Sequence, residues 1–425
     1  MTTTTVTTKQ PITGGGIRSV NFFNGRLLTG EDLTYEQHAH QLARLRLGRA
    51  VGSGVAYGLE VSAAASTTNA RPIVRVEAGL AVNRTGRPLE LAGATDVALA
   101  RESPDAAGTS VLFEDCAPLQ PGTYTAGAGV YLLTIAPAQT NDGRAPVSGL
   151  ANEDAACNVA FSIEGVQFHL LRIALPASLL SPPGQLRNRL AHAMLGTDDP
   201  RRLAFESNPL GPPVGQYGLL DDLRAAGCFD DEHVPLAVLV WTAAEGIRFV
   251  DLWGVRRRIV APPSETRFPT LVGDRRQAEA EGAFLQFQEQ VAELLVSGSS
   301  LTQVTASELF RFLPPVGLVP IGGDGTSPGF DVDAFLGAQG TEELATIDAV
   351  RLRALVQESL SHDPIAVGAK EKIQRYLVWE NELAFEAATV GRRTLVFARR
   401  TLAHSGTARF GRARFGHSFF AQSAT

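Results

Sequence analysis

From Asn21 to Val61 the chain reads NFFNGRLLTGEDLTYEQHAHQLARLRLGRAVGSGVAYGLEV. This stretch starts extended, with a turn at Asn24-Gly25. Thr29 is placed as an N-cap, and Glu31 and Asp32 follow in the first turn, where the helix dipole favours negative charge. The spacing of Tyr35, His38, Leu42 and Leu45 puts them on one face and predicts a helix running to about Ala50. Arg44, Arg46 and Arg49 fall near its C-terminal end, where the dipole favours cations. Gly52-Ser53-Gly54 then stops the helix, and Val55–Val61 is apolar and β-prone. A helix stopped by glycines and followed at once by a strand sets the expectation of an α+β chain.

Working outward, Ile73–Glu77 and Leu80–Leu91 read as further strands, the latter folded at the turn Asn83-Arg84-Thr85-Gly86. Residues 17–99 are therefore expected to form a small helix-plus-sheet module. Residues 1–16, Thr-rich and ending in Gly14-Gly15-Gly16, are expected to be a flexible arm. A β-rich domain is expected over 100–262, from the apolar runs Val130–Ile135, Val166–Ala174, Val234–Thr242 and Ile247–Leu252, the last two joined as a hairpin through Ala243–Gly246. Its connections, including Pro176–Pro183 and Pro209–Pro213, read as long Pro-rich loops.

A mixed α/β region is expected over 263–390. Asp274–Val296 carries Phe284, Phe287, Val291 and Leu294 at helical spacing. Shorter helices are predicted over Thr305–Phe310 and Glu342–Ser359, an extended segment over Leu318–Ile321, and strands over Ile373–Trp379 and Thr394–Ala398. Residues 391–425 form an Arg/Phe-rich tail with seven arginines and no acidic residue, within which Ala408-Arg409-Phe410-Gly411 recurs as Ala413-Arg414-Phe415-Gly416.

Composition narrows the function. The chain has 425 residues, enough for two or three domains, and 44% of them are hydrophobic, enough for a sizeable core. The net charge of −6 argues against a polyanion binder, so nucleic acid is not an expected partner. Of 38 basic residues only Lys9, Lys370 and Lys372 are lysine, and arginine is the cation favoured at interfaces. Cys116, Cys157 and Cys228 are far apart and odd in number, which argues against a disulfide framework or a Cys-x-x-Cys metal site and fits synthesis in a reducing cytoplasm. The N-terminus lacks a secretory pattern, and the longest apolar run, Val234–Trp241, is too short to span a membrane.

The search for chemistry returns no catalytic constellation. His38 and His40 point to different faces of their helix, and His169 reads as a core residue. Gly14–Gly16 lacks the Lys-Ser/Thr of a phosphate loop, and Gly52, Gly54 and Gly58 are wrongly spaced for a dinucleotide fingerprint. Acidic pairs such as Asp198/Asp199, Asp221/Asp222 and Asp230/Asp231 are common on solvated turns, and Asp331-Val332-Asp333 falls short of a calcium loop. No catalytic residue, metal or cofactor is therefore assigned. The tail supplies the residues expected to bind a partner: Arg409, Phe410, Arg412, Arg414 and Phe415, of the types enriched in interface hot spots.

Several stretches carry a family resemblance: Asn21–Leu28, Asp32-Leu33, Gly54–Val61, Gly79–Arg87, Phe312–Gly317 and Tyr376–Asn381. In these the chain resembles structural and accessory proteins of phage-tail-like contractile injection systems, with Asn83 where that pattern has Asp. The resemblance implies a non-enzymatic component of a cytoplasmically made particle, at its baseplate, cap or periphery, with other subunits as partners in a homo- or hetero-oligomer. Two other readings stand beside it. One is a β-rich adhesin or carbohydrate-binding module stacking sugars on Trp241, Trp253 and Tyr217. The other is a hydrolase with dispersed acidic residues.

Overall fold

The structure is a computed structural model, and it describes Lys9 and residues 11–69, 72–99, 129–144, 159–212, 214–242, 244–260, 274–297, 301–321, 329–337, 341–369, 371–378 and 393–402. Among the described residues about 34% are helical and 32% lie in strands, in several small sheets with no barrel, so the fold is mixed α+β, as the helix-then-strand pattern predicted.

The helix α1 (Gly30–Val51) begins at Thr29, whose side chain accepts from the Asp32 N–H while the Asp32 carboxylate accepts from the Thr29 N–H, a complete capping box. It ends at Gly52, whose N–H donates to the Gly48 carbonyl. Six short strands follow: β1 (Gly54–Gly58), β2 (Val61–Ala63), β3 (Ile73–Val76), β4 (Gly79–Val82), β5 (Pro88–Leu91) and β6 (Thr95–Ala98). They make two three-stranded antiparallel sheets, ordered β1-β4-β5 and β2-β3-β6. The expected continuous strand Val55–Val61 is broken because Gly58 and Leu59 both adopt positive φ, turning the chain from one sheet to the other.

The central sheet has order β10-β9-β7-β8, from β7 (Gly129–Arg144), β8 (Val159–Ile173), β9 (Val234–Thr242) and β10 (Gly246–Asp251), all antiparallel. Both faces are covered at its root. Tyr131, Leu133, Ile135, Leu239 and Trp241 pack against Val55, Leu59, Val74, Val76 and Leu89 of the small sheets. Val130, Leu132, Leu171, Val238 and Val240 pack on the other side against helices. Two-sided burial explains why the central strands read as apolar runs rather than as alternating patterns.

Those helices correct the expectation that long loops join the strands of the β-rich middle. Between β8 and β9 lie α2 (Ala177–Leu180), α3 (Leu186–Leu195), α4 (Pro200–Ser207) and α5 (Leu219–Ala225). The inner face of α3 buries Arg187, Asn188 and His192 beside Leu186, Leu190 and Met194. Those polar residues on the buried side hide the apolar period that would have announced the helix. Segment 253–260 returns to the N-terminal module, where Ser53 and Val260 exchange N–H···O bonds of 3.1 Å and Val55 bonds Arg257 and Ile259.

The remaining part is organised on α6 (Asp274–Val296), which has the predicted bounds. After it come α7 (Ala306–Leu309), β11 (Phe312–Leu313), β12 (Val316–Ile321), α8 (Val332–Leu336), β13 (Thr341–Ile347), α9 (Ala349–Ser359), β14 (Ile365–Ala366), β15 (Ile373–Val378) and β16 (Arg393–Arg399). The sheet β12-β16-β15-β13 packs α6 through Phe287, Phe310, Val319 and Phe397, and α9 through Val316, Leu355, Tyr376 and Val396. The helix expected from Glu342 starts only at Ala349, because Thr341–Ile347 is taken into a parallel pairing with β15 and Asp348 caps the helix behind it. Long-range pairing overrides the helix preference of Glu-Glu-Leu-Ala.

A second correction concerns the cysteines. Cys228 is disulfide-bonded, and its partner lies outside the described residues. Separation along the chain does not limit which cysteines a fold can bring together.

Candidate functional site

The tail residues expected to bind a partner, Arg409, Phe410, Arg412, Arg414 and Phe415, lie outside the described residues. The described residues carry two other surfaces of interaction character and one cleft.

The first surface is α1 with the segment before it. Arg46 donates to the Gly15 carbonyl, the Val20 N–H donates to Glu36, Arg26 pairs with Asp32, and Arg18 stands 5.9 Å over the Tyr35 ring. The helix meets the body near its C-terminal end, at a close backbone approach. A Cβ on Gly48 would lie 2.0 Å from the Gly86 carbonyl oxygen, and one on Gly86 would lie 2.0 Å from that of Leu45. Leu42 and Leu45 are half-buried there, and the rest of the helix is largely uncovered. Of 22 residues only Ala39 is buried, while Leu33, Tyr35, Leu47 and Val51 are exposed, Leu47 by 67%. Phe22, Phe23, Leu27 and Leu28 extend this apolar surface. Exposed large apolar residues in this number mark the region as a candidate contact surface.

The second surface is a two-stranded arm. β7 pairs with β9 only from Gly129 to Ile135, but continues with β8 out to Arg144. Val159, Phe161 and Ile163, at alternate positions of β8, share one face of this extension, and all three are exposed, Phe161 by 68%. A two-stranded ribbon is marginal by itself, and burying one face against a partner would stabilise it.

The cleft has a volume of about 640 Å³, and six segments supply its charged and polar lining. Arg49 comes from α1, Asn83 and Arg84 from the β4–β5 turn, Tyr217, Asp221 and Arg224 from α5 and its approach, His233 from the start of β9, Arg257 from the returning segment, and Asp274, Arg275 and Glu279 from α6. Arg275 organises one wall. It donates to Asp221 and to Glu279, each at 2.8 Å, and its guanidinium stacks 3.8 Å from the Tyr217 ring centre. Tyr217 donates to Glu279 at 2.7 Å, and burial together with that carboxylate pushes the phenol pKa up. Burial, reinforced by the charge of Arg84, brings the Arg224 guanidinium down to about 10. The His233 imidazole, accepting or donating at 2.9 Å with the Thr134 hydroxyl and 4.6 Å from the His169 ring, is held below its ordinary pKa by burial.

Other ion pairs fasten the elements together. Arg202 is fully buried and reaches Glu206 at 3.0 Å and Asp363 at 2.9 Å. Burial would raise the Asp363 carboxyl, but Arg202 and Arg276 outweigh it and lower it. Asp199 caps α4 and binds Arg201 and the Gly218 N–H, and these bonds overcome burial and hold its carboxyl at about 2. Arg187 on α3 joins Asp251 at 3.0 Å to Glu289 and Glu293 on α6. Burial, helped by Asp251 and Glu293, raises Glu289 to about 7 against the pull of Arg187.

The sequence-predicted candidates have structural uses. Trp241 is 4% exposed in the core, and the Tyr217 ring is buried beneath Arg275, so neither offers a sugar a stacking face. Asp331 caps α8 and Asp333 pairs with Arg375 at 2.7 Å. Among the described residues no group of three His, Cys, Asp or Glu is arranged to hold a metal ion. No described helix is long and apolar enough to cross a membrane. The chain matches no family model, and no curated protein is significantly similar to it.

The cleft is what reading the sequence missed. Its only linear trace is the clustering of arginines at Arg256-Arg257-Arg258 and Arg275-Arg276, which helix and loop surfaces also show.

Proposed function

We propose that this chain is a non-enzymatic structural or accessory component of a phage-tail-like contractile injection particle, seated at its baseplate, cap or periphery and acting through protein–protein interfaces. The observation that carries the reading is the pair of long elements, α1 and the β7–β8 arm, whose apolar side chains remain outside the body of the chain. Burial of such side chains is worth about 1.5–3 kcal/mol each, so leaving a row of them in water is explained by a partner that covers them. The family resemblance names the kind of assembly, and the Arg/Phe-rich tail adds a third contact of the composition interfaces favour.

The hydrolase reading loses support because Asp221 and Glu279, two of the three carboxylates lining the cleft, are both engaged by Arg275. The test is recovery of the tagged chain with sheath-containing particles, scored by mass spectrometry. The intact chain is expected in that material. Phe161→Asp, or deletion of residues 403–425, is expected to abolish incorporation while the body stays folded. Absence of the intact chain from such particles would remove the reading, and normal incorporation of both variants would remove these two contacts from it.

A further inference from the structure

The arginines of the cleft are of two kinds. Elsewhere in the molecule, the buried guanidinium groups of Arg187 and Arg202 are matched by carboxylates at bonding distance. Arg187 has Asp251 at 3.0 Å, and Arg202 has Asp363 at 2.9 Å and Glu206 at 3.0 Å. Arg275 follows that rule and occupies both Asp221 and Glu279. Arg84, Arg224 and Arg257 do not. Arg84 comes no closer than 3.8 Å to Asp221 and Asp231. Arg224 stands 3.8 Å from Asp221, and its buried Nε faces an Asp231 oxygen at 3.5 Å without a hydrogen bond to it. Arg257 donates to the backbone carbonyls of Trp253 at 3.0 Å and Gly254 at 2.9 Å, and no carboxylate among the described residues pairs with it.

The cleft lining therefore carries five guanidinium groups, from Arg49, Arg84, Arg224, Arg257 and Arg275, against three carboxylates, from Asp221, Asp274 and Glu279. Asp231, which pairs with both Arg84 and Arg224, is a fourth carboxylate beside them and leaves an excess of one positive charge. The under-matched groups are also held in place. Arg224 stacks 4.7 Å over the Phe229 ring, and Arg257 is tied to two carbonyls. Fixed donors lose little freedom when a ligand arrives. A guanidinium fork matches the oxygen pair of a carboxylate or phosphate, and a cleft of about 640 Å³ is of the size that holds one small molecule.

We propose that this cleft is a binding site for a small oxyanion-bearing ligand, a phosphate or polycarboxylate compound, gripped by Arg84, Arg224 and Arg257. The ligand would tie α5 to the β4–β5 turn and to the returning segment, the three places from which these arginines come. The site is independent of the assembly role. A chain that joins particles but binds no anion breaks this inference alone, and one that binds anions but joins no particle breaks only the other.

The experiment uses the full chain, with inorganic pyrophosphate and citrate as separate probes and sodium chloride holding ionic strength constant. A saturable rise in the thermal midpoint with either probe is expected, since a ligand of the folded state stabilises it by mass action. Response to pyrophosphate alone assigns the phosphate class, and response to citrate alone the carboxylate class. Arg84→Ala and Arg257→Gln are each expected to weaken binding by roughly tenfold or more. Arg84 is the safer variant, being 45% exposed in its side chain, and should leave the anion-free midpoint within about 2 °C of the parent. The proposal is overturned if neither anion shifts the midpoint beyond the sodium chloride control, or if Arg84→Ala binds both as tightly as the parent.

Discussion

Helices α1 and α6 are nearly equal in length, 22 and 23 residues, and each carries apolar residues at helical spacing. They have opposite fates. α6 buries nine residues, from Ala278 to Val291, between the central sheet's helices and the second sheet. α1 buries Ala39 alone. An apolar period states that a face wants to leave water, and it does not state whether the same chain or another will cover it. In α6 the chain covers it. In α1 the face is left over, and the β7–β8 arm repeats the situation in a strand.

The sharpest way to break this contrast is to substitute on both helices and compare. Phe287→Ala on α6 removes a fully buried ring that packs 5.0 Å from Phe310 and 5.5 Å from Phe397. It is expected to destabilise the fold by about 3–5 kcal/mol in denaturant unfolding. A loss below about 1 kcal/mol would mean that α6 is not the internal fastening described.

A smaller effect tests the seam between α3 and β11. His192 is buried, its Nδ1 2.7 Å from the Thr197 hydroxyl and its ring 4.9 Å from Phe312, and burial pushes its pKa down to about 3. With a folded pKa below the unfolded value of about 6.5, the neutral ring contributes stability that is present above that pH and is lost as pH falls below it. Between pH 7 and 5 the parent should therefore lose about 1–2 kcal/mol more than His192→Gln. Equal slopes in the two proteins would contradict a buried neutral imidazole.

The smallest expected effect on stability completes the comparison. Leu47→Asp on α1 replaces an exposed side chain and should change unfolding free energy by less than about 0.5 kcal/mol. The same substitution should abolish incorporation into particles. A large loss of stability would instead show that α1 is covered within its own chain.

Much of this architecture was legible from local chemistry. Thr29 and Asp32 mark the start of α1, Gly52 marks its end, and the spacing of Phe284, Phe287, Val291 and Leu294 marks α6, because caps and periodicity act within a few residues. The β9–β10 hairpin was legible for the same reason. The candidate surfaces were half legible: Phe22, Phe23 and Tyr35 stood in the sequence as apolar residues, but their exposure did not. The cleft was not legible at all, since its arginines and carboxylates are contributed by five separated segments.

The sequence by itself determined which segments become long helices and central strands, and that the chain is α+β. Those outcomes depend on hydrogen bonds and side-chain periods that close within a turn or a strand. Only the tertiary structure decided that Thr341–Ile347 is a strand, that Arg187, Asn188 and His192 face inward on α3, and that Cys228 forms a disulfide. It also decided which arginines find carboxylates and which are left facing the cleft. Each of these depends on a partner far along the chain, whose distance in space is set by packing and not by spacing in sequence.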